Sequence, residues 1–218
     1  MMTTNKLTKT FASGSLAIGV LAGAVLTATS ASAASMMLTW DQWTSGTALQ
    51  VGDKKVEYVA GSSTIGANAL DDVELMEMGG HYYFLYDATT LGSSDANINS
   101  GSFTYTIEVI NSNKSIVGVD LDSDVSSNYG TLTETFAEIP GLSLVSVNGS
   151  ADPAVGFEPI APIKKLTVTN TLNNTGGPTE GLFQLQNSFH QSVPEPGTIL
   201  GLLAVGGLGL VSRFKKQK

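Results

Sequence analysis

Ser102-Phe103-Thr104-Tyr105-Thr106-Ile107-Glu108-Val109 alternates without a break, with Phe103, Tyr105, Ile107 and Val109 on one side and Ser102, Thr104, Thr106 and Glu108 on the other. Successive side chains of a strand point to opposite faces, so this pattern predicts a half-buried β-strand. Asn111-Ser112-Asn113-Lys114 supplies a turn, and residues 115–121 return as a second strand that begins on Ile116 and Val117.

Upstream, residues 55–60 (KVEYVA) read as a strand. Further on, Val73-Glu74-Leu75-Met76-Glu77-Met78 and Tyr82-Tyr83-Phe84-Leu85-Tyr86 flank Gly79-Gly80. Two β-rich runs joined by Gly-Gly predict a hairpin, because both turn residues can take positive φ. The Tyr–Phe run is apolar on both parities, as in a strand covered on two sides. Turned outward, Tyr82, Tyr83 and Tyr86 would instead offer a row of rings to carbohydrate.

Downstream, 131–136 reads as a strand or a short helix, and 142–147, 163–171 and 181–189 read as strands. Polar or Gly/Pro-rich loops are expected at 89–102, 173–181 and from Asp152-Pro153 through Pro159 and Pro162. No convincing helix stands out in 34–192. Many short strands with Gly, Asn and Pro turns predict an all-β fold, a β-sandwich of Ig-like or jelly-roll-like type.

Cysteine is absent, which excludes disulfides, thiol nucleophiles and thiolate metal sites. The net charge of −8 hides an asymmetry. Lys6, Lys9, Arg213, Lys215, Lys216 and Lys218 lie at the two ends. The body keeps five cations (Lys54, Lys55, Lys114, Lys164, Lys165) against 18 acids, a charge near −13. Such a surface repels nucleic acid and anionic membrane, so no nucleic-acid partner is expected.

The two ends read as addresses. Lys6 and Lys9, the apolar stretch 11–28 and Ala31-Ser32-Ala33 form a secretory signal, with cleavage between Ala33 and Ala34; the Sec translocon and signal peptidase are its expected partners. At the other end, Pro194-Glu195-Pro196 precedes an uncharged run, which is followed by the basic tail Arg213, Lys215, Lys216 and Lys218. Prolines keep the residues before them extended, and cations favour the cytoplasmic side. The run 198–212 has 15 residues, short of the roughly 20 that a full span uses. Five glycines between Gly197 and Gly209 weaken its helix further. The expected organisation is a signal peptide (1–33), a β-sandwich ectodomain (34–189), a linker with the proline motif (190–197), a transmembrane helix (198–212) and a basic cytoplasmic tail (213–218).

This three-part tail resembles the PEP-CTERM sorting signal of exported Gram-negative and cyanobacterial proteins. The resemblance covers about the last 26 residues. It implies processing by a membrane-embedded exosortase, transient anchoring, and a final place at the cell surface or in the extracellular matrix alongside exopolysaccharide. Elsewhere, SFTYTIEVINSN is similar to strands of Ig-like repeats in bacterial surface proteins, a likeness too short to assign roles.

Signals for chemistry are sparse. Trp40 and Trp43 either stack on sugar faces or pin the N-terminal strand to the core. Asp120, Asp122 and Asp124 form either a calcium loop or a solvated acidic turn; Val125 and Thr131 stand where an EF-hand needs glycine and glutamate. No other cofactor is suggested. His81 and His190 have no local partner for a triad. The pairs Asp71/Asp72, Glu74/Glu77 and Glu134/Glu138 are the candidates for a glycan hydrolase, which needs two acids facing each other across a sugar. The expected role is non-enzymatic, structural or adhesive, with a carbohydrate-binding module as the alternative. Recovered from its native envelope, the protein should begin at Ala34 and end near Pro194–Pro196 by intact mass. Retention of Lys218 would make the tail a permanent anchor instead.

Overall fold

The computed structural model describes residues 34–88 and 100–192. The segment 1–33, the tripeptide Pro194-Glu195-Pro196, the run 198–212, the basic tail and 89–99 of the expected polar loop lie outside the described residues. Twelve strands and one short helix follow in order. They are β1 (Ala34–Thr39), α1 (Trp40–Thr44), β2 (Leu49–Val51), β3 (Lys54–Tyr58), β4 (Asp72–Met78), β5 (His81–Asp87), β6 (Gly101–Val109), β7 (Ile116–Val125), β8 (Gly130–Phe136), β9 (Ser143–Val147), β10 (Glu158–Ile163), β11 (Lys165–Asn174) and β12 (Leu182–Gln191).

Two six-stranded sheets result, and every strand pair in them is antiparallel. One sheet has the order β1-β4-β5-β12-β7-β10, the other β2-β3-β6-β11-β8-β9. We call them sheets A and B. Their inner faces meet as a sandwich. The expected all-β sandwich is what the described residues form, with twelve strands where an Ig domain has seven to nine and a jelly roll eight. Among the described residues no helix is long and apolar enough to cross a membrane.

The alternating stretch is β6, in the interior of sheet B, and Phe103, Tyr105, Ile107 and Val109 are all buried. The Gly-Gly hairpin is the β4–β5 turn, where Gly79 and Gly80 take φ of 63° and 83°. Consecutive positive φ values match the right-handed twist of the strands they join. In β5, Tyr82, Phe84 and Tyr86 point inward while Tyr83 faces out.

Three expectations need correction. The stretch 40–44 is helical: Thr39 and Gln42 form a reciprocal capping box, with Gln42 N donating to Thr39 Oγ1 at 3.3 Å and Thr39 N to Gln42 Oε1 at 3.0 Å. This turn carries the chain from sheet A to sheet B and drops both tryptophans inward. Trp43 is 0% exposed and Trp40 7%, so neither ring is open to a sugar. They sit against Tyr58, Phe84, Tyr86, Phe103 and Tyr105 at centroid distances of 5.0–6.3 Å. Residues 158–162, expected as loop, belong to β10. Its prolines are tolerated because an edge strand has one row of unused donors.

The core is not wholly apolar. Asn187 of β12 accepts from Tyr105 Oη at 2.9 Å and from Asn170 Nδ2 at 2.8 Å, so a hydrogen-bonded triad links the two sheets. Glu134 of β8 is fully buried beside it, and neither carboxyl oxygen has a hydrogen-bond partner. Burial, aided by the Asp120 charge, pushes its pKa well above the ordinary 4.5, against a smaller opposing effect of Asn187. The folded state holds this proton more tightly than the unfolded chain does. Stability from Glu134 is therefore full below pH 4.5 and falls as pH rises toward the raised value. In thermal and urea melts, Glu134→Gln should gain on the parent above pH 4.5, by up to about 1.4 kcal/mol per pH unit. A constant difference from pH 4 to 8 would contradict the buried acid.

Candidate functional site

The outward face of sheet A gathers most of the described chemistry. Register sets side chains from four strands in rows across it. One row runs Asp72, Asp87, Gln184, Asp124, and the next Glu74, Leu85, Gln186, Asp122. The third runs Met76, Tyr83, Ser188, Asp120, and the fourth Met78, His81, His190, Gly118. Strand alternation explains the composition: the same strands send Val73, Leu75, Phe84, Tyr86, Leu185, Phe189, Val119 and Leu121 into the core.

The fourth row carries an aromatic strip. His81 and His190 are directly paired across β5 and β12, with ring centroids 4.3 Å apart. Phe157, just before β10, stacks on His190 at 4.2 Å and is 41% exposed. It reaches that place because residue 118 is glycine; any Cβ there would run into the Phe157 ring. His190 Nε2 lies 2.7 Å from Asp120 Oδ2, both largely covered. Asp122, Ser123, Asp124, Gln184 and Gln186 line a shallow depression of about 100 Å³.

The electrostatics follow from this crowding. Burial, then the His190 charge, holds His81 below its ordinary pKa, with Asp120 opposing. Burial, then the carboxylates of Asp87, Asp71 and Glu74, holds Asp72 above its ordinary value. Burial and the Asp120 charge raise Tyr83.

Several sequence candidates are redistributed. Asp120, Asp122 and Asp124 belong to β7, not to a loop. An extended strand spaces alternate residues nearly 7 Å apart, too far to wrap three carboxylates around one calcium ion. Among the described residues no group of three or more His, Asp or Glu is placed to hold a metal ion. Of the tyrosines, Tyr82 and Tyr86 are buried and only Tyr83 reaches this face. The carboxylate pairs do not face each other. Odd sequence offsets put Asp71 and Asp72, and Glu74 and Glu77, on opposite faces. Asp71 accepts from Tyr86 Oη at 2.8 Å inside. Glu134 is buried, whereas Glu138 binds the Thr167 backbone and hydroxyl at 2.7 Å on the surface.

Phe157, Gln184 and Gln186 were not among the sequence candidates. A lone Phe in a Gly/Pro stretch and two glutamines at alternate positions were the available signals. The linker expected from residue 190 also begins later, because β12 runs through Gln191.

A depressed His81 pKa means that stability from this group is full above its ordinary 6.5 and falls as pH drops below it. His81→Gln should remove that loss. Relative to the parent it should gain stability as pH falls from 6.5 toward the depressed value, read from melts at pH 5–8. An unchanged difference across this window would contradict the reading.

Strand β12 supplies Gln184, Gln186, Ser188 and His190 to this face and then leads into Ser192. Residues 192–216 match the PEP-CTERM protein-sorting motif. The match takes in Pro194-Glu195-Pro196, Arg213, Lys215 and Lys216, and stops before Lys218. No curated protein matches the chain. The tail is thus a PEP-CTERM sorting motif, which implies exosortase-dependent sorting of an extracellular protein.

Proposed function

We propose that the protein is a non-enzymatic, adhesive component of the cell surface and extracellular matrix, and that the outward face of sheet A is its contact with exopolysaccharide. It leaves the cytoplasm through the Sec translocon, and signal peptidase cuts at Ala33–Ala34. The stretch 198–212 then holds it in the membrane until an exosortase acts at the proline motif. The supporting observation is the half-buried outward face of sheet A, which sets carboxylates, carboxamides and the Tyr83 hydroxyl in rows beside a partly exposed aromatic ring. Sugars are recognised by that combination. Polar side chains match hydroxyl groups along the chain, and a ring covers the apolar face of a pyranose. A flat face suits a polymer better than a small molecule, which is usually taken up in a deep pocket.

Retention on the host's own exopolysaccharide tests this. Each lost hydrogen bond is worth about 0.5–1.5 kcal/mol. Gln186→Ala combined with Asp122→Ala should therefore weaken retention about tenfold. Phe157→Ala should weaken it by a similar factor. Equal retention of all variants and the parent would sink the proposal.

A further inference from the structure

A second cluster lies where the two sheets meet at the end of β12. Lys54, the first residue of β3 in sheet B, is 0% exposed. Its Nζ is 2.5 Å from Asp53 Oδ1 and 2.9 Å from Gln191 Oε1, and it stands 4.2 Å from the centroid of the Tyr82 ring. Gln191, the last residue of β12 in sheet A, is 5% exposed. Its Nε2 is buried without a hydrogen-bond partner, and so is Asp53 Oδ2. Three features coincide: a covered amine, a carboxamide whose oxygen meets that amine, and a carboxylate that meets the same amine through one oxygen and leaves the other without a hydrogen-bond partner.

We propose that Lys54 and Gln191 are the site of a self-catalysed isopeptide cross-link, with Asp53 as the proton carrier. Asp53 takes a proton from the Lys54 ammonium, which frees the lone pair of Nζ. Nζ, which already lies 2.9 Å from Oε1 of Gln191, attacks Cδ of that carboxamide. The Nζ–Cδ bond forms and the Cδ–Nε2 bond breaks. One proton passes by way of Asp53 from Nζ to Nε2, so that nitrogen leaves as ammonia. When it leaves as ammonium it takes the second proton and restores the Asp53 carboxylate. No oxidant or second substrate is consumed.

The surroundings favour this outcome. Burial depresses the Lys54 pKa, against the hydrogen bond and charge of Asp53, so the neutral amine is more accessible than in water. Fixing both partners in the fold removes the entropy cost of bringing them together. The reaction replaces a buried cation and an unsatisfied amide N–H₂ by one neutral amide. The linked residues lie 137 positions apart, and the bond would fasten the last strand of sheet A to sheet B one residue before the sorting motif.

The test is mass spectrometry of the folded full-length chain, denatured before analysis. The expected result is a mass lower than the sequence requires by one ammonia, with a branched tryptic peptide joining Lys54 to Gln191. Lys54→Arg should restore the full mass while keeping the charge. Asp53→Asn should do the same, or slow the reaction at least tenfold, while circular dichroism stays that of the β fold. Linear peptides carrying unmodified Lys54 and Gln191 from the folded parent would overturn the proposal. Unchanged cross-linking in Asp53→Asn would overturn the role of Asp53.

Discussion

The structure depends on β12 being paired along both of its sides. It bonds to β5 on one side and β7 on the other, and its inner side chains Leu185, Asn187 and Phe189 fill the middle of the sandwich. It is also the last strand described. Sheet A is therefore two separate halves, β1-β4-β5 and β7-β10, until the final strand enters between them. Such late, long-range pairing is entropically costly and makes folding slow relative to a chain of local contacts. For an exported protein this places completion of the fold after nearly the whole body has emerged.

The polar interior suits that late closure. Asn187 arrives on β12 and meets Asn170 and Tyr105 of sheet B, so its amide is satisfied only when the register is correct. A slip by one residue would turn every side chain of the strand to the other face and leave these groups unpaired. Ser123 and Ser146, 2.7 Å apart between β7 and β9, act in the same way at the other side. Glu134 lies beside the triad without joining it, and there the buried polarity costs stability at neutral pH.

What was legible in the sequence was what is local. Phe103 to Val109 shows its strand in eight residues, Gly79-Gly80 marks a turn by backbone freedom alone, and the tail motif is contiguous. What was missed depends on partners far along the chain. Five residues are too few to display helical period, although Thr39 and Gln42 held the capping signature. Pro159 and Pro162 argue loop unless an edge position is known, and strand order cannot be read locally. Three alternating aspartates look the same in a strand as in a calcium loop. The His81–His190–Phe157 strip arises only because β5, β12, β7 and β10 are neighbours. Gln191 looked like linker for the same reason, since its partner Lys54 belongs to the opposite sheet.

The double pairing of β12 also has a mechanical side. A tug on the sorting tail reaches the folded body at Ser192, along the axis of a ten-residue strand with bonded neighbours on both flanks. Pulled lengthwise, such a strand loads its ladder bonds together in shear, whereas a strand peeled from an edge breaks them one at a time. A protein held by this end would resist extraction from its surroundings as one unit. The edge strand β1, whose one ladder among the described residues is with β4, would be the part to peel first when the pull comes from the opposite terminus.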